Sequence, residues 1–163
     1  MSKPSVYLET SVISYLTARI SRDIITAANQ QLTQEWWEDH RSLYDLYVSQ
    51  IVLQEISRGD ARAVQHRWQK VEELPILAVT EAVDALALAL VLPGPLPVKA
   101  AVDAAHLALA AVSGIDYLLT WNCKHLANAT IRKDIERICL SHGCRAPILC
   151  TPQELLGDRS DVD

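Results

Sequence analysis

Short runs of β-branched and aromatic residues alternate along the chain with longer segments in which apolar residues return every three or four positions. The first short run, "SVYLE" (5–9), predicts a strand, with Pro4 before it. Thr10 or Ser11 then stands where a helix cap is needed, because a hydroxyl accepts a bond from a first-turn N–H that has no partner inside the helix. From 22 to about 40, Ile24, Ala27, Ala28, Leu32 and Trp36 recur with the helical period. "DLYVS" (45–49) predicts a second strand, and "QIVLQEISRGD" a helix stopped by Gly59. A helix follows over 60–73, with Val64, Trp68 and Val71 on one face; "PILAV" (75–79) reads as a short extended piece. Thr80 opens a helix that reaches about 92, where "PGPLP" breaks it.

The second half repeats the grammar. Residues 98–113 predict a helix ended by Gly114, and "DYLLT" (116–120) a strand without polar alternation. A continuously apolar strand between helices implies a parallel sheet covered on both faces, hence an α/β fold. A helix from about 130 to 141, the strand "PILC" (147–150) and "TPQELL", with Thr151 as cap and Pro152 in the first helical position, complete the chain. One domain over 1–157 is expected, with 158–163 as a frayed tail.

Composition narrows the function classes. At 163 residues one core is affordable, burying roughly 68–70% of the unfolded surface. A net charge of −5 argues against a general basic surface for nucleic acid, and leaves room for a local basic rim. The apolar stretch over 82–112 is broken by Asp84, "PGPLP", Lys99 and Asp103, which describes buried helices and no membrane span. "MSKPSVYLET" lacks the apolar segment of a signal peptide, so the four cysteines are expected as reduced thiols in a cytoplasmic protein.

Three carboxylates interrupt apolar elements. Glu9 ends the first strand, Glu55 shares a helix face with Ile51 and Val52, and Asp103 sits in "KAAVDAAHLALAA", a helix apolar nearly all round. Each alone has an ordinary reading: a solvated strand end for Glu9, a pair with Arg58 for Glu55, a pair with Lys99 for Asp103. Together they point to a shared site that needs a counter-ion, because gathered carboxylates repel and are costly to bury. A hard divalent cation such as Mg²⁺ or Mn²⁺ suits such oxygen ligands, and acids at strand ends face the crevice where parallel sheets bind ligands. Thr120 and Asn122 follow the strand "YLL", and Asn122 offers a carbonyl oxygen without a charge.

Several further residues surround this set. Lys124 and His125, beside Asn122, sit at the mouth of the expected crevice and are placed to touch substrate. Arg58, Arg62, His66 and Lys70, with Arg67 beside them, form either a positive stripe for a phosphate backbone or a solvated helix face. His106, one turn beyond Asp103, reads as a satisfied core histidine ahead of a partner to the acids. The spacing of Cys139, His142, Cys144 and Cys150 matches no common zinc site, and Trp36, Trp37 and Trp68 read as core or dimer contacts. A phosphatase with paired aspartates at the first strand and a glycine-rich phosphate loop are both excluded by the residues present.

In chain order, "VYLETSVISYL", "VLQEISRGD", "DAAHLALA" and "DYLLTWNCKHLANA" resemble the motif blocks of PIN domains, close to the bacterial VapC-like branch. The resemblance spans essentially the whole chain. It implies a three-layer α/β/α sandwich around a short parallel sheet, and a divalent-metal-dependent endoribonuclease, the toxin of a toxin–antitoxin pair. It places Glu9, Glu55 and Asp103 on the first three motif acids, as catalytic residues and metal ligands. Asn122 falls where many members carry a fourth acid, and Thr120 matches the hydroxyl residue two before it. Asn122 joins the acids as a catalytic candidate, and Thr10, Ser11 and Thr120 become candidate substrate contacts. Mg²⁺ or Mn²⁺ is the implied cofactor; RNA, a cognate antitoxin and a second copy in a homodimer are the implied partners. The sequence departs from the pattern twice: Glu9 stands where Asp is commoner, and Asn122 removes a charge. With the acidic net charge, Asn122 keeps open the alternative of a PIN-fold module that binds RNA or protein with weak or no catalysis.

Overall fold

A computed structural model of the protein describes residues 2–157; the tail expected to fray lies outside the described residues. Five parallel strands form one sheet in the order β3-β2-β1-β4-β5. They are β1 (Ser5–Leu8), β2 (Asp45–Ser49), β3 (Ile76–Leu77), β4 (Tyr117–Leu119) and β5 (Ile148–Cys150). Eight α-helices among the described residues flank it, giving the three-layer α/β/α arrangement: α1 (Thr10–Thr17), α2 (Ile24–Asp39), α3 (Gln50–Ile56), α4 (Ala61–Val71), α5 (Glu81–Val91), α6 (Ala101–Val112), α7 (Arg132–Ser141) and α8 (Pro152–Leu156).

Sequence and position in the sheet agree. Val6, Tyr7 and Leu8 of the central strand and Leu118 and Leu119 of its neighbour are fully buried, which is why neither strand shows polar alternation. The edge strands behave differently. Ile76 and Ile148 are exposed, and each follows a proline, Pro75 or Pro147, whose missing N–H blunts an open edge. Register Tyr7↔Tyr47 on one side and Tyr7↔Leu118 on the other brings the ends of β1, β2 and β4 level. The chain leaves β1 toward β2 and later returns to β1's other side with β4, so the crevice of this sheet opens at the carboxyl end of β1.

The helix starts follow local chemistry. Asp23, Ser49, Asp60, Thr80 and Thr151 each accept a bond from a first-turn N–H, capping α2, α3, α4, α5 and α8. The exception corrects an expectation: α1 is capped by Glu9, whose carboxylate accepts from Ser11 N–H, while Thr10 and Ser11 already lie in the helix. The expected helix over 98–113 opens as a 3-10 turn, Val98–Ala100, because Ala100 has no side-chain acceptor to start an α-helix directly. Gly94 is fixed by close approach: a Cβ there would meet Leu90 O at 2.2 Å, so only glycine lets "PGPLP" fold back on α5.

Trp36 and Trp37 are core residues; Trp36 packs against Tyr44, and Trp37 carries the Arg41 guanidinium 4.7 Å from its ring. Arg67 donates to Ile56 O and to Arg58 O, so it ties the end of α3 to α4. Lys70 lies 5.8 Å over Trp37, which leaves Arg58, Arg62 and His66 as the exposed part of the basic stripe. Among the described residues no helix is long and apolar enough to cross a membrane.

Candidate metal centre

Glu9 leaves β1 with its N–H still bonded to Leu119 O at 3.1 Å, so the strand pairing itself fixes where its side chain starts. The carboxylate is buried, with 6% of the residue exposed. Its Oε1 accepts the hydroxyls of Ser11 and of Thr120, the latter at 2.6 Å, and its Oε2 accepts Ser11 N–H at 3.1 Å. Three donors from two elements hold the group, and no lysine or arginine pairs with it among the described residues.

Glu55 reaches the same edge from α3. Its Oε1 accepts Thr10 Oγ1–H at 2.8 Å and lies 2.7 Å from His106 Nε2. Burial opposes its ionisation, but the bonds from His106 and Thr10 and the charges of His106 and Arg58 outweigh burial and hold its carboxyl below the usual range. Its Oε2 has no hydrogen-bond partner among the described residues.

Behind Glu55 runs a buried chain of polar groups. His106 of α6 is 1% exposed, and its Nδ1 lies 2.6 Å from Tyr7 Oη, which is in turn 2.8 Å from Ser49 Oγ. Ser49 also caps α3 through Val52 N–H, so the helix that carries Glu55 and the network behind it share one hydroxyl. Burial pushes the Tyr7 phenol far above its ordinary range; the charges of Glu9 and Glu55 add to this, and the Ser49 bond offsets only part. The phenol therefore stays neutral, as both donor and acceptor. One self-consistent proton arrangement has Ser49 donating to Tyr7, Tyr7 to His106 Nδ1, and His106 Nε2–H to Glu55.

Glu9, Glu55 and His106 each offer a ligand atom within 4.8 Å of the others, and no other trio of His, Cys, Asp or Glu does so among the described residues. The donor chemistry fits a divalent cation: two carboxylates with which no lysine or arginine forms an ion pair among the described residues, together with one imidazole. The cysteines are free thiols, and burial pushes Cys139 and Cys150 up to about 12.

Asp103 does not join this trio. At the start of α6 its Oδ2 lies 3.1 Å from His125 Nδ1, both side chains being about one-fifth exposed. Asn122 is occupied with the turn that follows β4: its Oδ1 accepts His125 N–H at 3.0 Å, and its carbonyl accepts from Leu126 and Ala127. Thr120 is buried, donates to Glu9 and accepts Asn122 N–H. The hydroxyl protons of Thr10, Ser11 and Thr120 thus go to carboxylates, whereas the Lys124 side chain is exposed. Neither Arg58 with Glu55 nor Lys99 with Asp103 forms an ion pair among the described residues.

Tyr7 and Ser49 were not selected from sequence, and His106, read there as a core histidine ahead of a partner to the acids, is both buried and bonded to Glu55. The available signals were a phenol inside an otherwise aliphatic strand, which needs a buried partner, and a histidine inside an apolar helix.

A parallel sheet whose carboxyl edge gathers carboxylates offers a place for a divalent cation. The sequence profile of the PIN domain matches residues 6–122, from β1 to Asn122, and the chain belongs to the PIN domain family. No curated protein matches the chain. PIN domains are generally metal-dependent nucleases that bind RNA.

Proposed function

We propose that this PIN domain is a divalent-metal-dependent endoribonuclease, the toxin of a toxin–antitoxin pair, acting in the cytoplasm as a homodimer restrained by a cognate antitoxin. The observation that carries the nuclease reading is the meeting of Glu9 and Glu55 at the carboxyl end of β1, where no lysine or arginine forms an ion pair with either among the described residues. Mg²⁺ or Mn²⁺ bound there supplies Lewis acidity for phosphodiester hydrolysis.

The protein's own groups divide the remaining work. Ser11 and Thr120 orient Glu9, and Thr10 orients Glu55, so the fold itself supplies the donors that hold both acids. Asp103 holds His125 by Nδ1, which leaves Nε2 without a partner among the described residues. An imidazole so held can pass a proton to the leaving oxygen. Lys124, exposed beside it, meets the phosphate.

A second reading rests on Asn122, whose Oδ1 is committed to a turn where many relatives offer an acid: a PIN-fold module that binds RNA or protein with little catalysis. One experiment separates the two. Purified protein with Mn²⁺ or Mg²⁺ is incubated with cellular RNA; cleavage that disappears in Glu55→Gln supports the enzyme, and RNA retention without cleavage supports the module. For the toxin role, expression should arrest growth, and co-expression of a neighbouring antitoxin frame should release it. Unimpaired growth on expression of active enzyme removes that role.

A further inference from the structure

The two acids explain a cation, but not why a buried histidine stands with them. We propose that His106 binds the ion directly through Nε2, so that the centre is a mixed set of two carboxylates and one imidazole that prefers Mn²⁺ to Mg²⁺. This rests on the reading of the site as a metal centre.

Geometry is the first support. Ligands on neighbouring corners of an octahedral site with bonds of roughly 2.1 Å stand about 3 Å apart, and opposite ones about 4 Å. His106 Nε2 and Glu55 Oε1 are 2.7 Å apart, and all three donors fall within 4.8 Å, so small side-chain shifts around an ion suffice. For Nε2 to bind, its proton must leave and the ring must carry one on Nδ1 instead.

The second support is the group on the other ring nitrogen. To offer the Nε2 lone pair, the imidazole must carry its proton on Nδ1 and hand it to an acceptor. Tyr7 Oη lies 2.6 Å away, and the Tyr7 hydroxyl can turn its own proton to Ser49 Oγ at 2.8 Å. The buried Tyr7–Ser49 pair therefore serves either tautomer: in one Nε2–H donates to Glu55, and in the other that bond is given up and Nε2 faces a cation. A ligating histidine characteristically gives its remaining N–H to such a partner, which fixes the ring. The third support is the charge. Glu9 and Glu55 bring two negative charges, and among the described residues no Lys or Arg pairs with either.

An imidazole in the set changes the choice of metal. Mg²⁺ favours all-oxygen octahedra and dehydrates reluctantly, whereas nitrogen donors raise affinity for first-row transition ions. Mn²⁺ accepts both donor types and reports on them magnetically.

The test uses full-length protein, Mn²⁺ and no RNA. Electron spin echo modulation of bound Mn²⁺ should show coupling to an imidazole nitrogen in the parent protein and none in His106→Gln. The same variant should bind Mn²⁺ at least about 10- to 100-fold more weakly, and its preference for Mn²⁺ over Mg²⁺ in competition should narrow. Tyr7→Phe, which removes the Nδ1 acceptor and keeps the ring packing, should weaken Mn²⁺ binding while the nitrogen coupling persists. Bound Mn²⁺ without nitrogen coupling overturns the proposal and leaves the nuclease reading standing. So does a coupling that survives His106→Gln and vanishes in His125→Gln. If the protein binds no Mn²⁺ at all, the nuclease reading falls with it.

Discussion

Two halves of the carboxyl edge are built from motif residues, yet they are held in different ways. On the β1–α3 side, Glu9 and Glu55 are gripped by donors from α1, β4 and α6, so each carboxylate is fixed from several elements at once. On the β4–α6 side, Asp103 meets one histidine of a turn, and Asn122 is spent on the backbone of that same turn. The first half is a pair of carboxylates fixed by donors from several elements; the second is a local hydrogen-bonded loop. Within one helix the difference spans a single turn. Asp103 sits at the half-exposed start of α6, while His106, three residues on, points into the core toward Tyr7. Burial depth along a helix, more than residue type, sorts the two.

The comparison breaks most visibly at Glu9. Glu9→Ala removes the cap of α1, the acceptor of three bonds and a proposed ligand together; Mn²⁺ affinity should fall by more than about 100-fold, and thermal stability by about 1 kcal/mol from the lost cap alone. Titration calorimetry and melting read both, and unchanged metal affinity would remove Glu9 from the ligand set. Asp103→Asn should split the readouts. Without metal its melting should move by less than about 1 kcal/mol, since the pair with His125 is partly solvated, while RNA cleavage should be lost. Equal cleavage by this variant would show that Asp103 has no part in the chemistry.

A smaller effect separates the halves by pH. The folded state holds the Glu55 carboxyl below its usual range, against the pull of burial. A depressed acid contributes stability that is present above its unfolded pKa and is lost as pH falls through the folded value. Metal-free protein should therefore lose stability from the ordinary carboxylate range downward, and Glu55→Gln should flatten that slope. A slope of the same size in the variant would assign it to other groups. At the opposite end, Cys139 and Cys150 stay protonated up to about 12, so stability present below the ordinary thiol range should decline as pH rises toward that value. The smallest change is expected of Asn122→Asp. The carboxylate can keep the bond from His125 N–H and adds one charge, so Mn²⁺ binding should tighten by less than about tenfold. A larger gain would mean that position 122 reaches the ion directly.

Much of the fold was legible locally. "DLYVS" and "SVYLE" gave strands because β-branched and aromatic residues suit a pleated surface, and Asp60, Thr80 and Thr151 marked helix starts by chemistry confined to a few residues. The strong acids were legible too, since a carboxylate inside an apolar pattern demands a reason. What escaped was the use each group makes of distant partners. Glu9 caps α1 because it also accepts from Thr120, 111 residues away, and no pattern near Glu9 signals that bond. His106 was legible as buried, but its partners Tyr7 and Glu55 lie 99 and 51 residues off.

By itself the sequence determined the parallel α/β class, the succession of elements and the presence of acids at element ends, because propensity, capping and periodicity act over a few residues. Only the tertiary structure decided which donors share a site. The side-by-side register of β2, β1 and β4 sets Ser49, Tyr7, Glu9 and Thr120 at one edge, and α6 lays His106 across it and leaves Asp103 to the turn beyond. Proximity across a sheet depends on strand order, and strand order is settled by the packing of the whole chain.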